Sequence, residues 1–168
     1  MNFIFIFGAQ GSGKTTVARM LKEKLHSVHI DFDWIRGFHL DPEWKDATPE
    51  EEEMSIQNMV YILQNYAKHH YMNVITSGFS EQQIEKVASN LSEYQRCIVT
   101  LYLTDNDILK ERVLTESRDS GFRDFAQSIK LNAEIASRPL LQYEHKIDTT
   151  SQTPQQTTRQ ILDLLKDL

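Results

Sequence analysis

Cysteine is nearly missing from this chain: Cys97 stands alone among 168 residues, so no disulfide can form within it. Its place in Cys97-Ile98-Val99-Thr100-Leu101 reads as a small apolar side chain of a strand core and not as a nucleophile. Long hydrophobic runs are missing too. The longest, Phe3 to Phe7, is far short of the roughly 20 residues a membrane helix needs, and no basic stretch precedes it as in a secretory signal. Basic residues are in deficit. Eighteen Lys and Arg against 24 Asp and Glu leave a net charge of -6, which suggests neither a grip on nucleic-acid phosphates nor a polybasic membrane contact. The expectation is a cytoplasmic protein without nucleic-acid or membrane partners. Glycine and proline are scarce, with six and four residues, and no linker rich in them divides the chain. Residues 1–168 therefore read as a single domain.

The residues that are present alternate between strand and helix signals. Short apolar or β-branched runs at Asn2 to Phe7, Val28 to Asp31, Asn73 to Ser77, Cys97 to Leu103 and Lys146 to Asp148 suit strands buried on both faces of a parallel sheet. Helical patterns lie between them. From Pro49 to about His70, Met54, Met59, Val60, Leu63, Tyr66 and Ala67 recur at helical spacing behind Thr48 as N-cap. Glu50 to Glu53 then fall in the first turn, where carboxylates suit the positive end of the helix dipole; a metal or cationic-substrate site is the other reading. Thr153, Pro154 and Gln156 open a last helix whose apolar side is Ile161, Leu162, Leu164, Leu165 and Leu168.

The chemistry begins directly after the first strand. Gly8-Ala9-Gln10-Gly11-Ser12-Gly13-Lys14-Thr15-Thr16 satisfies G-x-x-x-x-G-K-[ST], and Val17, Leu21 and Leu25 continue it as a helix face. Glycines let successive backbone N–H groups converge on phosphate oxygens, and the helix N-terminus adds partial positive charge. Gly8, Gly11, Ser12, Gly13, Lys14, Thr15 and Thr16 are accordingly expected to hold a nucleoside triphosphate, with Lys14 on the β- and γ-phosphates and the Thr15 hydroxyl on Mg²⁺.

Asp31 and Asp33 leave the second strand two residues apart, so alternation turns both carboxylates to one side. Asp31 is the candidate for the metal's shell and Asp33 the candidate proton acceptor; capping of the helix that starts near Trp34 is the alternative for both. Gly78, after the third strand, either permits close approach of a ligand or makes a plain turn. Past a helix over Asp107 to Thr115, the polar stretch at 117–125 carries Arg118, Gly121 and Arg123. It reads as a mobile lid whose arginines could neutralise a transferred phosphoryl group, or as a solvated loop.

Gly8 to Leu21, the Asp31-x-Asp33-x-x-Arg36 stretch, the strand ending in Ser77-Gly78, Arg112 and Asp148-Thr149 together resemble the small P-loop kinases over nearly the whole chain. That group includes shikimate, gluconate, adenylylsulfate and nucleoside monophosphate kinases and chloramphenicol phosphotransferase. The resemblance implies a three-layer α/β P-loop NTPase fold with a five-stranded parallel sheet in the order 2-3-1-4-5. It also implies that Asp33 contacts the accepting hydroxyl, that Arg36 holds an anionic substrate, that Arg112 packs on adenine and that Thr149 to Pro154 border the adenine.

The chain departs from shikimate kinases at Phe38 to Trp44 and at Gly78-Phe79. It offers only Arg36 between the second and third strands, where nucleoside monophosphate kinases bring more than one arginine. Trp34, Phe38, His39, Trp44 and Phe79 could bound an acceptor pocket or pack the core. The expected activity is transfer of the γ-phosphoryl group of ATP, with Mg²⁺, to a hydroxyl of a small molecule by a monomer or homodimer. The catalytic set is Lys14, Asp33, Arg118 and Arg123, and substrate contacts come from Asp33, Arg36 and Gly78. A nucleoside or nucleotide kinase and a non-catalytic nucleotide-binding switch are the rival readings.

Overall fold

Alternation along the first strand decides how the layers assemble. In β1 (Phe3–Gly8), Phe3, Phe5 and Phe7 turn to one face and Ile4 and Ile6 to the other, and all are buried. A strand apolar on both sides must be covered on both sides. The computed structural model describes residues 1–39, 48–115 and 122–168. After β1 come α1 (Lys14–Lys24), β2 (His29–Asp31), α2 (Phe32–Arg36), α3 (Pro49–Lys68), β3 (Val74–Ser77) and α4 (Glu81–Ser89). They are followed by β4 (Arg96–Tyr102), α5 (Asn106–Leu114), α6 (Phe125–Ser137), β5 (Glu144–Asp148) and α7 (Pro154–Lys166).

The five strands form one parallel sheet in the order β2-β3-β1-β4-β5, as the resemblance implied. Ile4 and Ile6 pack with Val17, Ala18 and Leu21 of α1 and Ile161 of α7. Phe3, Phe5 and Phe7 pack with Phe32, Met59, Leu63, Ile84 and Ile135 from α2, α3, α4 and α6. Cys97 lies in the first of these cores, and burial pushes its thiol up to about 11. It is a packing residue, as its strand context suggested.

The capping boxes at Thr48 with Glu51 and at Thr153 with Gln156 both form. On α3 the buried face is Ile56, Met59, Val60 and Leu63, an i, i+3, i+4, i+7 set that leaves Met54 47% exposed, against its expected place on the apolar face. Leu168 lies past the end of α7 and is exposed for that reason. Two helices add to those named from the patterns. Ser80 and Gln83 make a capping box ahead of α4, and Asp124 caps α6 by accepting from the Gln127 N–H.

β5 starts two residues earlier than its apolar run because a paired carboxylate opens it. The Glu144 side chain is 0% exposed, and Arg138 grips it with Nη1 and Nη2, each at 2.7 Å. The Leu141 N–H donates to it at 2.7 Å and the Thr100 hydroxyl donates to Oε1. Burial alone would raise this carboxyl's pKa, but the hydrogen bonds from Arg138, Thr100 and Leu141 outweigh it and hold the group below its ordinary 4.5. A folded-state pKa below the unfolded one contributes stability above the unfolded value and loses it as pH falls through the folded one. Glu144→Gln should therefore cost about 3 kcal/mol at pH 7, measured by urea unfolding, because it leaves a guanidinium without its buried partner. The gap between variant and parent should narrow as pH falls below 4.5.

Candidate active site

The turn from β1 into α1 leaves backbone donors facing one cleft. Gly13 sits at φ 99° as the N-cap of α1 and supplies no side-chain cap, and the first turn holds no acid. The first helical bond runs from the Val17 N–H to the Gly13 carbonyl, so the N–H groups of Lys14, Thr15 and Thr16 have no acceptor within the helix. The other six described helices each carry an Asp, Ser or Thr cap that accepts from the backbone. Ser12 Oγ and Gln10 Oε1 are buried in the loop without a hydrogen-bond partner. Lys14 Nζ donates back to the Ala9 carbonyl at 2.8 Å, and Thr15 and Thr16 are exposed.

The loop is held from behind. A Cβ at Gly8 would stand 2.3 Å from the Leu101 carbonyl oxygen, and one at Gly11 2.8 Å from Val113 Cγ2 on α5. The cleft in front of it measures about 910 Å³ and is lined by the loop, Asp31, Asp33, Arg36, Gly78, Arg112 and Thr149, among others. The loop, the two aspartates, Arg36, Gly78 and Arg112 therefore meet in one place.

Asp31 and Asp33 do different things there. Asp31 caps α2, its Oδ1 accepting from the Asp33 N–H at 3.1 Å, and its Oδ2 accepts from the Ser77 hydroxyl at 3.2 Å. With the Ser77 proton so directed, His29 donates to Ser77 Oγ from Nε2 at 2.9 Å. Burial lowers the His29 pKa, which favours the neutral ring, and its Nε2–H tautomer makes this bond. Gly78, at φ 86°, follows directly, and a Cβ on it would lie 2.1 Å from Asp31 Oδ1. The close approach at Gly78 in this structure is thus made by the Asp31 carboxylate. The pairing of His29 with Ser77 escaped sequence reasoning because 48 residues separate them and His29 belongs to no motif.

The Asp33 side chain caps nothing. It is about half exposed in the cleft, within 3.4 Å of Arg36 Nη1. Burial, and then the neighbouring negative charge of Asp31, raise its pKa against the opposing effect of Arg36 and Lys14. Arg36 also donates from Nε to Glu52 at 3.2 Å, and Gln83 Nε2 donates to the other Glu52 oxygen. The acidic turn of α3 is therefore more than a dipole cap: Glu51 closes the capping box, Glu52 binds Arg36 and Glu53 pairs with Lys86 at 3.2 Å.

Arg112 donates to the Thr149 and Thr150 carbonyls at 3.0 and 3.3 Å, tying α5 to the loop after β5, and Thr149 Oγ1 approaches the Ser12 carbonyl at 3.4 Å. Phe79 is buried, lines the cleft and stacks on Phe32 with centroids 4.7 Å apart. Trp34 and Phe38, 63% and 79% exposed, do not line it. The short α2 turns Phe32 and Ile35, three apart, into the core and so points Trp34 outward. His39 is half-buried and also off the cleft lining. Arg123 donates to the Phe122 carbonyl at 2.9 Å and is not among the cleft residues either. Phe122 and Phe125, from the expected lid, pack instead against Leu103, Leu109 and Val113. Trp44, Arg118 and Gly121 lie outside the described residues.

The groups present fit a nucleoside triphosphate with Mg²⁺: amide groups without helical acceptors, a lysine, and the exposed threonines Thr15 and Thr16. Among the described residues no group of three His, Cys, Asp or Glu could hold a metal by itself. That suits an ion which keeps several waters and is held mostly by phosphates.

A central strand, a glycine-rich loop and an uncapped helix in a 2-3-1-4-5 sheet define a P-loop protein of the kinase type. The chain belongs to the AAA domain family AAA_18, whose family model matches residues 4–128. A provisionally named adenylate kinase of Pyrococcus abyssi is 27% identical over 97% of this chain and 83% of its own length, and one of Pyrococcus furiosus is 25% identical over 96% and 83%. Among solved structures, a sugar kinase from Janibacter superposes with a TM-score of 0.71 at 17% identity, covering 98% of this chain and 94% of the other. A gluconokinase from Sinorhizobium meliloti gives 0.69 at 17% identity, covering 98% and 91%.

Alanine at Gly13 and at Gly78 separates two reasons for glycine. No heavy atom lies within 4 Å of a Cβ at Gly13, so Gly13→Ala meets only the cost of a positive φ, about 1 kcal/mol. Gly78→Ala adds the collision with Asp31 Oδ1 and should destabilise by about 2 kcal/mol or more, as a further strained contact does. Urea unfolding of both variants checks the order.

Proposed function

We propose that this chain, read as one kinase domain, transfers the γ-phosphoryl group of ATP to a hydroxyl of a small molecule. The observation that carries the reading is the Asp33 carboxylate: partly exposed, free of any capping duty, and in the same cleft as Lys14 and the first turn of α1. Asp33 accepts the proton of the acceptor hydroxyl as that oxygen bonds to the γ-phosphorus and the bond to the ADP leaving group breaks. Lys14 and the amides of residues 14–16 balance the phosphate charge, and Arg112 stands on the nucleotide side. Thr15 and, through its outer shell, Asp31 would hold Mg²⁺, which when bound neutralises phosphate oxygens. Action in the cytoplasm, without nucleic-acid or membrane partners, belongs to the same proposal; no helix among the described residues is long and apolar enough to cross a membrane.

A nucleotide kinase is the second reading, favoured by the names of the Pyrococcus relatives. An assay of ADP release with ATP, Mg²⁺ and candidate acceptors, AMP included, decides between them.

Asp33→Asn keeps size and hydrogen bonding but loses the base, so acceptor-dependent transfer should fall about 10² to 10⁴-fold with little change in ATP affinity. Full activity in that variant would refute the base assignment. Because the Asp33 pKa is raised above 3.8, the acid limb of kcat/KM in the parent should lie above that pH, activity being lost as pH falls and Asp33 takes up its proton. Lys14→Ala should abolish most ATP turnover while the unfolding midpoint holds, since the lysine packs no core.

A further inference from the structure

The side of the cleft opposite the phosphate loop is rich in carboxylates. Asp31 and Asp33 reach it from the junction of β2 and α2, and Glu81 from the first turn of α4. Glu52 stands behind them. Arg36 lines this side and Arg138 stands behind it against Phe7 and Glu81, and carboxylates hold both. Arg36 lies between Asp33 at 3.4 Å and Glu52 at 3.2 Å. Arg138, over the Phe7 ring at 5.9 Å, gives Nη1 and Nη2 to Glu144 and Nε to Glu81. Asp31, Asp33, Glu52 and Glu81 outnumber the two arginines, and buried Glu144 already balances one of them. Lys14 stands across the cleft on the phosphate side, and Arg19 lines it on α1 near His29.

Carboxylates accept hydrogen bonds and donate none, so a ligand on this side must bring the donors. Hydroxyl and ammonium groups do so. A carboxylate or phosphate on the acceptor would instead face like charges, with Arg36 and Arg138 already paired. Resting on the kinase reading, we propose that the acceptor is a small neutral or cationic polyhydroxyl compound, a sugar, polyol or amino sugar with no acidic group of its own. Arg36 then serves as a strut that orients Asp33, a different task from the anion-holding one implied by the resemblance. The cleft of about 910 Å³ has to take nucleotide and acceptor together, which suits a small molecule.

Matched pairs test this on the intact chain. Glucose and glucosamine are set against gluconate and glucose 6-phosphate, inositol against an inositol phosphate, and adenosine against AMP. ADP release is measured with ATP and Mg²⁺, and the thermal midpoint with a non-hydrolysable ATP analogue. The acid-free partners should give the larger midpoint shifts and a kcat/KM about tenfold or more above their acidic counterparts. An acidic member that equals or exceeds its partner overturns the proposal, and so does a panel without discrimination. Discrimination in the midpoints without ADP release would uphold the charge assignment and sink the kinase reading. ADP release led by an anion would do the reverse. Glu52→Gln unties Arg36 and should raise kcat/KM for the acidic members about tenfold; a gap that does not move overturns the role given to the Arg36–Glu52 pair.

Discussion

The constraint on which the site depends is a helix that starts without a cap. An uncapped N-terminus is costly unless something outside the helix answers its amides, and α1 is the described helix in which no side chain does so. The chain can hold that arrangement because the preceding loop is clamped on several sides. The Leu101 carbonyl of β4 lies where a Gly8 side chain would be, and Leu109 and Val113 of α5 close on Gly11. Thr149 approaches the Ser12 carbonyl from the end of β5. Placing β1 at the centre of the sheet, between β3 and β4, makes this clamping possible.

The aspartates leaving β2 show how one local pattern divides into two tasks. Asp31 is consumed by structure: it caps α2, accepts from Ser77 and occupies the space that Gly78 leaves open. That fixes its carboxylate on the cleft wall it shares with Asp33 and Gly78. Asp33 escapes these duties because its own backbone N–H, and not its side chain, enters the cap. Its side chain remains in the cleft under the influence of Asp31, Arg36 and Lys14. Burial and Asp31 of β2 act against Arg36 of α2 and Lys14 of α1, so its basicity is a property of the assembled elements.

Elements whose signals are local and repeated were legible from the residues. Strands buried on both faces are contiguous apolar runs, and the boxes at Thr48 and Thr153 need only residues three apart. The phosphate loop is likewise a single stretch in which glycine spacing and Lys14 carry the chemistry. Less was legible where a short element could present either face. Trp34 on the short α2 points outward and Met54 falls off the buried side of α3, because the hydrophobic residues that win the core are the ones at the right phase. Glu144 was illegible as a strand residue because its burial depends on Arg138 from the end of α6.

The sequence by itself determined the order of the strands along the chain, the phosphate-type loop after the first of them, and the pair of candidate carboxylates leaving the second. All three follow from interactions between near neighbours in the chain: alternation, capping and backbone freedom at glycine. Only the tertiary structure decided which carboxylate is left without a capping role, which arginines are already paired, and that His29 and Ser77 stand behind Asp31. Those outcomes rest largely on contacts between separate elements, such as His29 and Ser77, 48 residues apart, and no local pattern encodes the distance or orientation at which such elements meet.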